Sequence, residues 1–248
     1  MAVGPSLLDR LLRPLHRWVW SDAHRRGLKL LRFAITEADG GRDITRAAEL
    51  TKDARLRRLY LRHAMDEQRH ANMFRTRGRA ILAALPDVDE GAQFQAHAFA
   101  PGERGLDDLV VEAENDDSLL AFLHLSEKAA AERFAIYQDV LGFDEDTQGV
   151  FTQILRDEAF HMNYTYAQLK RVSPKKHGVH LWWARLVRLW KGYLRIASAI
   201  ANVMSGVILS LQYFLVLPLF ALFAKQAAKK LPRGWTPARQ PSPLGSQY

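Results

Sequence analysis

Two short stretches bring together side chains that bind metals: Asp66-Glu67-Gln68-Arg69-His70 and Asp157-Glu158-Ala159-Phe160-His161. The order Asp-Glu-x-x-His thus occurs twice, 91 residues apart (Asp66 to Asp157). On a helix, residues three apart share a face, so each copy offers one carboxylate and one imidazole in the same direction. The surrounding apolar residues fall on those same faces. Leu56, Tyr60, His63, Glu67, His70 and Phe74 form one stripe, and Phe151, Ile154, Glu158, His161 with Tyr164 or Thr165 form the other. A carboxylate in an inward-facing stripe is costly unless something compensates it, and two such stripes point to one shared compensator, a pair of metal ions. The chain has no cysteine. Disulfides, zinc–cysteine sites, iron–sulfur clusters and cysteine nucleophiles are therefore excluded, and His and carboxylates are the only strong ligands left.

A metal pair needs more carboxylate than two glutamates supply. Glu37 stands 30 residues before Glu67, and Glu127 stands 31 before Glu158. Antiparallel helices would bring each pair level if the chain turned midway, near residues 53 and 143. Turn signals stand at both places. Thr51 or Asp53 in "LTKDAR" can cap a new helix, and in "LGFDED" Gly142 can stop one helix while Asp144 or Asp146 starts the next. The partner stripes are Leu30, Phe33 or Ala34, Glu37, Gly41, Ile44 and Ala48, and Leu120, Leu123 or His124, Glu127, Ala130 or Ala131, Phe134 and Gln138. Glu132 falls off its stripe and is the poorer candidate. "DGG" at Asp39 to Gly41 lies inside the first helix, where each Gly costs ~1 kcal/mol relative to Ala. It predicts either a helix break or a close approach beside Glu37. The segment Pro86 to Asp108 has weak periodicity and the length of a crossover between two hairpins.

The set Glu37, Glu67 with His70, Glu127, and Glu158 with His161 resembles the ferritin-like di-iron carboxylate proteins, particularly their rubrerythrin-like branch. The resemblance covers roughly residues 21–172. It implies an all-α, ferritin-like four-helix bundle of two antiparallel hairpins joined by a long crossover, with those six residues holding two Fe ions or, with the same ligand types, Mn. It also implies that Asp66 and Asp157 support the histidines from behind, because in di-iron oxygenases an Asp-Glu-x-Arg-His motif bonds its Asp to the opposing His. Arg69 completes that motif in the first copy, whereas Phe160 replaces the Arg in the second, which weakens an oxygenase-specific reading.

Other residues near the stripes have both structural and chemical readings. His63, one turn before Glu67, is a seventh ligand or, more commonly for such a position, a supporting or core histidine. The same applies to His124, three before Glu127. Tyr60 and Tyr164 could relay electrons or protons, although packed tyrosines with a bonded hydroxyl are the commoner outcome.

The ends of the chain have a different character. Net charge is +8, but residues 170–195 alone carry eight Lys or Arg and no acid. Residues 178–195 place Trp182, Trp183 and Trp190 around Arg185, Arg188 and Lys191, the pattern of a basic interfacial helix on anionic lipid. Residues 196–224 follow without one charge, enough for roughly 44 Å of helix against a ~30 Å hydrocarbon core. A membrane segment is expected there, kinked or re-entrant at Pro218, with a burial-driven alternative in a soluble core or an oligomer. The positive charge is thereby accounted for by lipid, without nucleic acid. Residues 1–20 form an amphipathic segment with no secretory signal pattern, and residues 231–248, rich in Pro, Gly and Ser, predict a disordered tail.

The expected activity is that of a membrane-anchored di-iron oxidoreductase activating O2 or peroxide and hydroxylating or desaturating a lipophilic substrate, the bundle on the cytoplasmic side. Electrons would come from a separate donor, and a homodimer is compatible with the pattern. A rubrerythrin-like peroxidase or ferroxidase, and a non-catalytic tethered iron-binding or scaffold protein, are the alternatives.

Overall fold

The computed structural model describes residues 4–86, 111 and 115–229. Among these the chain is helical, without a strand. It divides into two units, Met1–Lys191 and Gly192–Tyr248. The crossover expected over 86–108, apart from Pro86, and the tail over 231–248 lie outside the described residues.

The first unit is a helical bundle. Two short helices, α1 (Leu7–Leu11) and α2 (Arg13–Ser21), precede α3 (Ala23–Leu50), α4 (Ala54–Ala83), α5 (Asp116–Val140) and α6 (Glu145–Val172). The turns fall where the spacing of the glutamates requires them. Asp53 caps α4, its carboxylate accepting from the Arg55 and Leu56 amides. Asp144 caps α6, accepting from the Thr147 amide and hydroxyl. Each cap satisfies helix-start donors that would otherwise lack partners. Asp144 is also held by Arg77 of α4 at 2.6 Å and by Arg26 of α3 at 2.9 Å, so the second turn is pinned to the first helix pair. At the other end the Thr51 hydroxyl donates to Asp116 at 2.8 Å and pins the first turn to the start of α5.

The Asp39-Gly40-Gly41 stretch does not break α3, which runs unbroken from Ala23 to Leu50. A Cβ on Gly41 would stand 3.2 Å from the Glu67 Cβ and 3.3 Å from the Ala64 carbonyl, so this glycine lets α3 and α4 close together beside the site. Farther along, Gly27 and Gly78 face one another in the same way. Running down α3, these contacts meet successively earlier residues of α4, so the two helices run antiparallel.

Between the caps lies an aromatic cluster. Trp20, Phe33, Phe74, Phe134, Tyr137 and Phe151 come from α2, α3, α4, α5 and α6, and Phe74, Phe151 and Trp20 are fully buried. Their ring centroids lie 4.9–6.5 Å apart in tilted and edge-on pairs, the arrangement that aromatic quadrupoles favour.

After Val172 comes α7 (His177–Leu211), whose first turns pack on the bundle. Leu181 enters the core, His180 Nε2 is 3.1 Å from Asp117, and Arg188 donates to the Leu125 carbonyl at 2.7 Å. Arg188 thus reaches α5 while remaining exposed. Trp182, Trp183, Leu189 and Trp190 remain largely exposed, and Arg185 is also exposed. Lys191 is half-buried.

In the second unit α7 continues to Leu211, followed by a π-helical turn, Gln212–Val216, and α8 (Leu217–Ala228). Pro218 has no N–H, and its ring would crowd the carbonyl of Phe214 in a regular α-helix. The wider turn just before it takes up this misfit in place of a re-entrant hairpin. The span His177–Ala228 is one helix long and apolar enough to cross a membrane, with a mean hydropathy of 2.2 in its most apolar window.

Candidate metal centre

One turn beyond the aromatic cluster, the same four long helices bury ionisable groups instead. Glu67, His70, Glu127, Glu158 and His161 are buried, Glu37 is half-buried, and His63 is buried beside them. Ligand-capable atoms of Glu37, Glu67 and His70 lie within 4.8 Å of one another, as do those of His63, Glu67, Glu127 and His161. Glu67 belongs to both groups. Glu158 stands between the two histidines, 3.8 Å from His70 Nδ1 and 4.0 Å from His161 Nδ1. The six residues singled out by spacing are thus brought to one place.

The histidines are held from behind in a crossed arrangement. His70 Nε2 donates to Asp157 at 3.1 Å, and His161 Nε2 to Asp66 at 3.3 Å. Each copy of the motif therefore supplies the acceptor for the other copy's imidazole. Arg69 lies 2.8 Å from both Asp66 and Asp157 and ties the two together. One arginine serves both aspartates, which is why Phe160 can stand where a second arginine would be; its ring instead lies under the Arg62 guanidinium at 4.3 Å.

With Nε2 used as donor, Nδ1 of each ring is left as a lone-pair acceptor pointing at the carboxylates. Burial holds both imidazoles below the ordinary histidine range, against the opposing pull of Asp157 and Asp66, so both are neutral at pH 7. His70 Nδ1, His161 Nδ1 and Glu158 Oε2 are buried with no hydrogen-bond partner. Buried polar atoms are rarely left so. Three together, aimed into a space ringed by carboxylates, fit a cation.

The carboxylates have the complementary problem. Burial pushes Glu158 well above the usual range, with the Glu127 and Glu67 charges adding to it. Burial and Glu67 do the same to Glu37. Glu67 is pushed up to about 8 by burial, against a hydrogen bond from Glu37. Glu127 goes down to about 2: burial would raise it, but His63 and a hydrogen bond with Glu158 prevail. Without a cation the cluster must keep protons, which metal ions would displace.

His63 is the residue whose importance the spacing understated. Its Nε2 lies 3.1 Å from Glu67 and 3.3 Å from Glu127, while Nδ1 lies 2.7 Å from the Tyr164 hydroxyl. It stacks on His161 at 3.7 Å. Its position four residues before Glu67 was the available signal. Tyr164 therefore reaches the cluster through His63, whereas Tyr60 turns toward Asp116 at 3.5 Å, away from the cluster. His124 is not brought into the cluster either: its Nδ1 donates to the Met162 carbonyl, and its ring lies against Tyr166.

No known protein family, no characterised protein and no solved structure matches this chain.

Proposed function

We propose that the chain is a ferritin-like di-iron carboxylate oxidoreductase, anchored in a membrane through His177–Ala228, with the bundle on the cytoplasmic side. The observation that carries this reading is the pair of neutral, back-bonded imidazoles whose free Nδ1 atoms face four carboxylates. Glu37, Glu67 and His70 would hold one ion, and Glu67, Glu127 and His161 the other, with Glu158 between them. Four carboxylates balance two divalent ions, and N/O ligands of this kind suit Fe(II) or Mn(II). Such a pair supplies two-electron chemistry with O2 or peroxide.

The remaining residues serve that centre. Asp66, Asp157 and Arg69 fix the imidazole orientations, and such outer partners tune a metal site strongly. The His63–Tyr164 pair holds a proton beside Glu67 and Glu127. The packed aromatics close the site to water from one end.

A groove of about 1060 Å³ runs along α4, its lining mixed, with apolar Leu61, Met65, Met73 and Val150 beside polar Asn72, Arg77 and Asp146, and its apolar part would suit a lipophilic substrate. Ala64 and Gln68 line it too and are the residues that Gly41 approaches, so the groove runs behind the helix turn that carries Glu67. Hydroxylation or desaturation would consume O2 and two electrons. The chain has no cysteine and so no cysteine-ligated electron-transfer module, and the donor would be a separate reductase.

The test is O2 and peroxide consumption by detergent-purified protein loaded with Fe(II), given a chemical reductant, with and without lipid extract. Turnover that rises with lipid extract, accompanied by an oxidised lipid product, is expected. Lipid-independent peroxide consumption would favour a rubrerythrin-like peroxidase, and no turnover with metal bound would favour a tethered iron-binding or scaffold protein.

A further inference from the structure

The N-terminal helices carry a surface that the metal centre does not use. Leu12 joins α1 and α2, and the Leu12 and His16 amides still bond four residues back, so helical winding persists through the joint. Pro14, which has no amide to donate, accounts for the interruption.

One face of this pair is spent on docking. Asp9 is buried and meets Arg133 of α5 at 3.1 Å, with His16 3.3 Å away. Trp20 packs on Tyr137 and Phe151, and Arg13 reaches Asp139 at 2.8 Å. The opposite face is apolar and open. Leu7, Leu8, Leu11, Leu15 and Trp18 are 77, 61, 72, 51 and 58% exposed. At ~100° per residue they fall within an arc of about 100°, one continuous stripe. Exposed Arg10 and Arg17 border one edge of it, and Arg25 lies over the Trp18 ring at 4.1 Å. Asp9, the one acid within 7–21, faces inward, and Asp22 at the end of α2 is paired with Arg25.

We propose that α1–α2 is a second, interfacial contact of this protein with an anionic lipid surface, separate from the membrane-crossing segment. A contiguous exposed apolar stripe marks an interaction surface. The charge decides the partner: an apolar face bordered by arginine and tryptophan, with the acid withdrawn, matches headgroups above acyl chains. The first turns of α7 repeat this composition in Trp182, Trp183 and Trp190. Both elements are moored to the same helix, α7 at Asp117 and Leu125 and α1–α2 at Arg133 and Asp139. From Asp117 to Asp139 is ~33 Å along α5 at 1.5 Å per residue.

The inference rests on the membrane reading of His177–Ala228, and one experiment separates them. The chain has no cysteine, so a spin label goes only where a cysteine is introduced. Full-length Leu11→Cys, Leu15→Cys, Ile208→Cys and Arg58→Cys are labelled and reconstituted in phosphatidylcholine vesicles containing phosphatidylglycerol. Relaxation by lipid-soluble oxygen is compared with relaxation by a water-soluble nickel chelate. Labels at 11 and 15 are expected to favour oxygen, as at 208, while the label at 58 favours nickel. Arg10→Gln with Arg17→Gln should shift positions 11 and 15 toward the value at 58. Nickel preference at 11 and 15 with oxygen preference at 208 would overturn the proposal and leave the anchor standing. Strong dipolar coupling between copies at position 11, without oxygen preference, would make the stripe a protein interface and also overturn it. Nickel preference at 208 would remove the anchor and the proposal together.

Discussion

Two adjacent layers of the bundle, built by the same four long helices, bury opposite kinds of side chain. Phe33 lies one turn before Glu37, Phe74 one turn after His70, Phe134 two turns after Glu127 and Phe151 two turns before Glu158. The aromatic layer is held by its own packing, each ring meeting several others, with the Trp20 Nε1 buried in it without a partner. The carboxylate layer is not complete: it gathers acids whose ionisation burial opposes and leaves three polar atoms unpartnered. The first layer is packed as a core, and the second gathers groups in an arrangement compatible with a bound metal ion.

The largest expected effect breaks the self-sufficient layer. Phe151→Ala opens a cavity among Trp20, Phe33, Phe74 and Phe134 and should cost about 3–5 kcal/mol in chemical denaturation, with or without metal. Equal loss from a conservative change in the carboxylate layer of the metal-free protein would contradict the division of labour.

The next effect is confined to the dependent layer. Asp157→Asn keeps the shape but weakens the hold on His70 and Arg69. Metal affinity, measured by competition with a chromophoric chelator, should fall ~10–100-fold while unfolding of the metal-free protein changes little.

The two layers should also differ in their response to pH. Glu67 is raised from 4.5 to about 8 in the folded protein, so the folded state holds that proton more tightly than the unfolded chain does. Its contribution to stability is complete below pH 4.5 and is lost as pH rises through about 8. The melting temperature of the metal-free protein should therefore decline between about pH 5 and 8. Glu67→Gln should flatten that decline, and metal loading should oppose it. A slope unchanged by Glu67→Gln would place the proton elsewhere.

The smallest effect compares neighbouring glycines. Nothing lies within 4 Å of a Cβ built on Gly40, so Gly40→Ala should gain up to ~1 kcal/mol from helix propensity. On Gly41 the same methyl meets the Gln68 amide at 2.7 Å and the Glu67 Cβ at 3.2 Å. The gain there should be cancelled, and metal affinity should fall as Glu67 is displaced.

Helices, turns and the six convergent residues were legible because each depends on local spacing. Asp53 and Asp144 stand midway between the glutamates they bring level, and Glu-x-x-His fixes a face whatever surrounds it. What spacing could not convey was the third dimension. That Arg69 serves both aspartates depends on α4 meeting α6. The separate fates of His63 and His124, and of Tyr164 and Tyr60, depend on which neighbour each side chain finds: His63 meets two carboxylates, while Met162 offers His124 a carbonyl. Nor does a helical stripe reveal that exposed Arg188 has the Leu125 carbonyl within its reach. Gly41 could mean a break or a close approach until Glu67 and Ala64 were seen beside it.

Metal content per chain decides whether the two copies of the motif supply halves of one metal site. Full-length protein purified in detergent is loaded with Fe(II) without oxygen, beside Glu67→Ala and Glu158→Ala, and analysed for iron. About two irons per chain in the parent and a sharp loss in both variants is the predicted result. Background iron in all three would show that the repeated motif is architectural and holds no dinuclear site.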